Sequence, residues 1–192
     1  MGEFMWQLYF GLVLFGFPHL FSVLAPQARD RLKQRLGENR FKLAYSAVSF
    51  GGIVLMALGY LSHRQMPADL LYQPYDSARH LAFFVILAGF ILIANNGSRS
   101  HLRLWLGHPF SLGVILWSAA HLLVNGEKAV VLIFLTLMLI ALLDVALNLA
   151  RGKYPQFQPI LSHDIRGLVG GIIVYLIFMF GFHPYILGVP VA

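Results

Sequence analysis

The sequence predicts an all-α integral membrane bundle of six transmembrane helices with both termini on the periplasmic side. Hydrophobic residues make up 58% of the 192 residues and charged residues only 11%, a balance too apolar for a soluble domain of this size. Six apolar runs, each near the ~20 residues a spanning helix needs, succeed one another along the chain. Lys and Arg collect in alternate connections, eleven on one side against three on the other, the asymmetry that the positive-inside rule reads as orientation. In a Gram-negative bacterium these features place the chain in the inner membrane as a multi-pass protein.

The first run spans Met5 to Ala25. No basic residue precedes it and Pro26 follows Ala25, so it reads as a retained helix and not as a cleaved signal peptide. Met1-Gly2-Glu3-Phe4 reads as a cloning remnant ahead of a native Met5, which leaves residues 5–192 as one membrane domain. The first connection carries Arg29-Asp30-Arg31-Leu32-Lys33-Gln34-Arg35-Leu36 up to Gly37, the pattern of a short basic helix lying on anionic membrane lipid. The second run is Leu43 to Ser62. The loop from His63 to Arg79, with Pro67, Pro74, Tyr72 and Tyr75, suits an outer cap or an aromatic interfacial anchor.

The third, fourth, fifth and sixth runs are His80 to Asn95, His108 to Val124, Ala129 to Ala150 and Leu168 to Leu187. Between the last two, Arg151 to Gly167 holds Pro155 and Pro159 and no visible chemistry. Gly11, Gly16, Gly51, Gly52, Gly167, Gly170 and Gly171 fall where helices in lipid need small residues to approach each other. No internal repeat is present.

Several function classes are excluded. The chain has no cysteine, so disulfides, thiolate-bound haem, iron–sulfur clusters and a cysteine nucleophile are absent, and His, Met, Tyr or carboxylate must serve as any metal ligand. The net charge of +6 follows from the loop asymmetry and calls for no nucleic-acid partner. Ser118 stands three residues before His121, but one helix supplies no oxyanion hole and no orienting acid for nucleophilic catalysis.

Five of the eight histidines, His19, His80, His108, His121 and His183, lie inside or at the ends of the apolar runs. An ionisable side chain costs about 2 to 4 kcal/mol at bilayer depth and seldom stays there without a partner. Neutral imidazole is the commonest metal ligand, so a buried haem or metal ion is the chemistry to expect. On the fourth run, at ~100° per residue, His108, Ser111, Ser118, His121 and Asn125 share a stripe about 140° wide that should face the bundle interior.

The topology sorts these groups into two layers. His19, His108 and Asp144 lie toward the inner side, while His80, His121 and His183 lie toward the outer side. Each also has an ordinary role open to it. His108 before Pro109 can begin a helix, His183 before Pro184 can end one, and His80 can sit at the interface. Asp144, Asn148 and Arg151 suit a same-face ion pair. His63, His101 and His163 read as solvated loop residues.

The chain resembles the NnrU family in an ordered set of motifs running along nearly its whole length. They begin with Pro18-His19-Leu20, Arg35-Leu36-Gly37-Glu38 and Arg79-His80-Leu81. Gly107-His108-Pro109, Trp117-Ser118-Ala119-Ala120-His121-Leu122-Leu123-Val124-Asn125-Gly126 and His183-Pro184-Tyr185-Ile186-Leu187-Gly188-Val189 follow. The resemblance implies two contexts. Bacterial relatives are associated with denitrification, in nitrite and nitric oxide metabolism. The plant relative, zeta-carotene isomerase, is a membrane enzyme with haem b that turns a central cis double bond to trans.

Carried over by motif, the haem ligands fall on His19 and His121, and the plant enzyme's alternative cysteine ligand falls on Ser118. Gly107 stands where the family carries an arginine. The resemblance thus implies a redox-dependent isomerase of a carotenoid-like polyene, or a non-enzymatic haem protein handling nitric oxide or electrons, with an unnamed redox partner. Depth argues against the first ligand pair. At ~1.5 Å per residue in a ~30 Å core, His19 and His121 lie about 15 Å apart along the normal, whereas axial ligands at about 2.0 Å per bond lie about 4 Å apart. Depth favours His121 with His183 or His80, or His19 with His108.

Overall fold

The structure is a computed structural model and describes residues 5–64 and 69–189; residues 1–4, read above as a remnant, and Pro67 of the second connection lie outside that range. The chain folds as helices α1 (Trp6–Leu24), α2 (Pro26–Leu36), α3 (Glu38–His63), α4 (Arg79–Ala94), α5 (His101–Leu106), α6 (Pro109–Val124), α7 (Lys128–Ala150) and α8 (Leu161–Ile177). A ten-residue π-helix, Phe178–Leu187, prolongs α8. The described residues form no strand, only an isolated bridge between Leu70 and Glu127.

Among the described residues, four helices are long and apolar enough to cross a membrane: α1, α3, α7, and α8 taken together with its π extension. Helices α4 and α6 are apolar but have 16 residues each, about 24 Å at 1.5 Å per residue. Few of their side chains are fully buried, and exposed apolar side chains such as Leu81, Phe84 and Phe110 recur on them as on the long helices. Lipid is as apolar as those side chains, so packing depends on close backbone approach.

Glycine supplies that approach. A Cβ on Gly11 would stand 2.7 Å from the Met56 nitrogen and 2.8 Å from the Gly52 oxygen, which locks α1 against α3. A Cβ on Gly89 would stand 2.8 Å from the Gly113 oxygen, which does the same for α4 and α6. These two pairs, together with α4 on α8, α6 on α7 and α1 on α7, set the helix order α3, α1, α7, α6, α4, α8. Direction follows from matched residues. Ser111 meets Asp144 and His121 meets Phe134, so α6 and α7 are antiparallel. Leu8 clusters with Ala129, and Gly16 meets Ile140, so α1 and α7 are parallel.

The basic helix appears as expected. Helix α2 starts at Pro26 and stops at Gly37, whose φ of 81° suits glycine. The end of the bundle carrying α2 is called the basic end below. At the opposite end, the loop after residue 69 clasps the end of α6. Tyr72 donates its hydroxyl to the Leu122 and Asn125 carbonyls, and the Leu71 and Tyr75 amides donate to Gly126 and Leu123. Tyr72 therefore serves as a cap for helix carbonyls that have no partner within the helix. Burial holds its phenol above the ordinary value, so it stays a donor.

The sixth apolar run does not end at His183-Pro184. Proline lacks an amide hydrogen and its ring crowds the carbonyl four residues back. The wider π turn carries the chain past Pro184 to Gly188, where φ is 63° and the Val189 amide donates to the His183 carbonyl. Arg64, at the end of α3, donates to the Leu187 and Gly188 carbonyls and ties the two ends of the helix row together.

Candidate functional site

Helix α6 and the π-helix meet at two histidines. The rings of His121 and His183 lie 6.2 Å apart, centre to centre, with planes 19° from parallel. Each Nδ1 reaches a backbone carbonyl of its own helix: Trp117 at 2.9 Å for His121 and Phe178 at 2.7 Å for His183. The first spans four residues and the second five, because the π turn is wider. A carbonyl only accepts, so Nδ1 carries the hydrogen and the Nε2 of a neutral ring keeps its lone pair. Neither Nε2 has a hydrogen-bond partner among the described residues.

Aromatic side chains enclose the pair. Phe134 of α7 stacks on His121 at 4.0 Å, and Trp117 meets both rings edge-on at 5.6 and 5.2 Å. From Trp117 the contacts continue through Phe90 and Phe178 to Phe182, which returns to His183. The result is a closed band of apolar rings drawn from α4, α6, α7 and the π-helix. One turn before His121, the Ser118 hydroxyl is fully buried with no hydrogen-bond partner.

Two neutral imidazoles, each with its Nε2 lone pair free, have the donor chemistry that would hold a haem iron. At about 2.0 Å per metal–imidazole bond and about 1.1 Å from each nitrogen to its ring centre, two axial imidazoles have centres about 6 Å apart. The pair matches that separation, its tautomers leave Nε2 for a metal, and a carbonyl partner on the other nitrogen is the usual support of a metal-bound histidine. No group of three or more His, Asp and Glu side chains suited to an isolated metal ion occurs among the described residues.

The other expected residues lie elsewhere. His19 makes the same kind of bond, Nδ1 to the Phe15 carbonyl at 2.7 Å, but stacks on Phe15 at 4.1 Å and faces Tyr45 of α3. It has no ring contact with His121, His183 or His108. His80 is exposed beside Phe83. His108 begins α6 before Pro109, and its Nε2 donates to the Lys153 carbonyl at 3.2 Å. Asp144 does not pair with Arg151. It accepts from the Ser111 hydroxyl at 2.5 Å and from the Asn148 amide at 2.8 Å.

Two pairings escaped the sequence, the first at His163, which is not a solvated loop residue but lies on α8 and accepts from the Arg99 amide at 2.9 Å. The second is at His101, which is not a free loop residue: its Nδ1 and backbone amide reach the Asp164 carboxylate at 2.8 and 2.9 Å and fasten α5 to the start of α8. The partners are far apart in the chain and no local pattern marks them.

A sequence profile described as NnrU protein matches residues 7–191. The chain belongs to the NnrU family. The match covers nearly all of the chain, so both site histidines fall within the residues matched to the NnrU family. No curated protein and no solved structure matches the chain.

Proposed function

We propose that this NnrU-family chain is a six-span bacterial inner-membrane protein, with both termini outside, that binds haem b and uses it to isomerise a carotenoid-like polyene. The observation that carries the proposal is the His121–His183 pair, with near-parallel rings 6.2 Å apart and no hydrogen-bond partner on either Nε2 among the described residues. The antiparallel alternation of the apolar helices and the concentration of Lys and Arg at one end support the topology.

In this reading His121 and His183 hold the group, and His121 is the firmer of the two because it sits mid-bundle between Trp117 and Phe134. His183, on the wide π turn near the end of the row, would be the weaker holder of the two. When bound, the haem supplies a redox-active iron that can feed electron density into a conjugated chain and lower its double-bond order. The residues do the rest. Trp117, Phe134, Phe90 and Phe178 exclude water and offer flat faces to a flat apolar chain. No acid or base is required.

A second reading is that the protein carries electrons or handles nitric oxide without isomerising anything. The His121–His183 pairing favours it in one respect, since two firm histidines would leave iron no open position.

The test is the absorption spectrum of purified protein, oxidised and dithionite-reduced, with and without nitric oxide, followed by incubation with a cis polyene. A b-type reduced spectrum with isomerisation only after reduction is the expected result. A b-type spectrum without isomerisation supports the second reading. A colourless protein that takes up no added haemin overturns both.

A further inference from the structure

A cavity of about 440 Å³ opens at the basic end, between α6, the end of α7 and the loop that follows it. Its walls carry charges of both signs: Arg103 and Lys153 on one hand, Asp144 with its donor Ser111 on the other. We propose that this cavity binds a phosphoethanolamine group, the phosphate against Arg103 and Lys153 and the ammonium against Asp144.

The argument starts from Asp144. A carboxylate on a membrane-spanning helix is costly unless something offsets its charge. Here it receives two neutral hydrogen bonds, from Ser111 and Asn148, and makes no ion pair among the described residues. The cations are also uncommitted. Lys153 makes no ion pair among the described residues, and Arg103 spends one nitrogen on the Ser98 carbonyl while lying over the Phe157 ring, which fixes the guanidinium and leaves donors open.

A simple anion would meet Asp144, and a simple cation would meet Arg103 and Lys153. A zwitterion satisfies both. An ammonium with three N–H donors suits a carboxylate that still has lone pairs, and a trimethylated ammonium does not. Position points to the same chemistry. Phe110 and Tyr154 line the cavity and are 47% and 63% exposed, and Trp105 nearby is 73% exposed, the arrangement of aromatic side chains at a headgroup layer. The cavity lies at the opposite end of α6 from His121, so the inference does not rest on haem binding.

The test uses the full chain in nanodiscs of matched acyl composition, with retained lipid counted by native mass spectrometry. Phosphatidylethanolamine should be retained about tenfold over phosphatidylcholine and phosphatidylglycerol, the ratio that one charge-assisted contact supplies. Asp144→Asn should lower phosphatidylethanolamine to the phosphatidylglycerol level, and Lys153→Gln, at an exposed position that spares the fold, should reduce both. Equal retention of phosphatidylcholine, or no loss in Lys153→Gln, overturns the proposal. Soluble phosphoethanolamine that displaces the lipid assigns the site to the free group. Retention that survives it assigns the site to the membrane lipid.

Discussion

His183 and His19 present the same bare Nε2 but stand in different company, and their removal separates two ligand sets. With His121 and His183 on iron, His183→Ala should keep the haem and turn a low-spin ferric spectrum into a high-spin one, while His19→Ala should change neither. Absorption and electron paramagnetic resonance read both outcomes. Loss of haem in His19→Ala would restore the pair that the family resemblance implies. The inward placement of His121, against Trp117 and Phe134, was legible because a histidine between Ala119, Ala120 and Leu122 on a polar stripe has few ordinary explanations. Its partner was not, since depth left both His183 and His80 open, and only the π turn brings His183 inward.

At the scale of elements, the placement of His121 depends on how α6 crosses α4. Gly113→Leu would drive a side chain into the Gly89 carbonyl and the Ile93 backbone, an overpacking that costs about 1 to 3 kcal/mol. A drop in Tm of several degrees should follow, at about 2 to 4 °C per kcal/mol for a chain of this size. Gly170→Ala, whose Cβ would meet only the Ala94 methyl at 4.0 Å, should leave Tm unchanged. The extents of α1, α4, α6 and α7 were legible from apolar runs, and α2 from its charge and Gly37. Helices α3 and α8 instead begin at Glu38 and Leu161, ahead of the runs at Leu43 and Leu168, and the short α5 carries no such signal. The glycine contacts were half legible: Gly11, Gly52, Gly167 and Gly171 are tight, Gly16, Gly51 and Gly170 are roomy, and Gly59, Gly89 and Gly113 were passed over. Small size marks a site where helices can approach, and only the fold decides which ones do.

The whole molecule is a row of helices in which the contacts of α1 with α3, α4 with α6 and α6 with α7 join consecutive spans, while those of α1 with α7 and α4 with α8 do not. Helix α7 joins the α1–α3 pair to the α6–α4–α8 group. Apolar periodicity reports a buried face and says nothing of what lies against it, so this order was illegible. Orientation is testable because the chain has no cysteine. Single cysteines at exposed Arg35 and Tyr185 should behave oppositely toward an impermeant maleimide added outside cells whose outer membrane has been permeabilised. Tyr185→Cys should label and Arg35→Cys should label only after lysis, and the reverse pattern would invert the topology.

The π-helix that carries His183 is also the last part of the bundle to leave the ribosome. At about 5 to 20 residues per second, His121 waits several seconds for its partner to be made. Under the proposed ligation, full capture of the prosthetic group therefore cannot precede translation of the final turn. A chain stopped before His183 would insert most of its helices and still lack the second ligand, so its spectrum should be the high-spin one expected of His183→Ala.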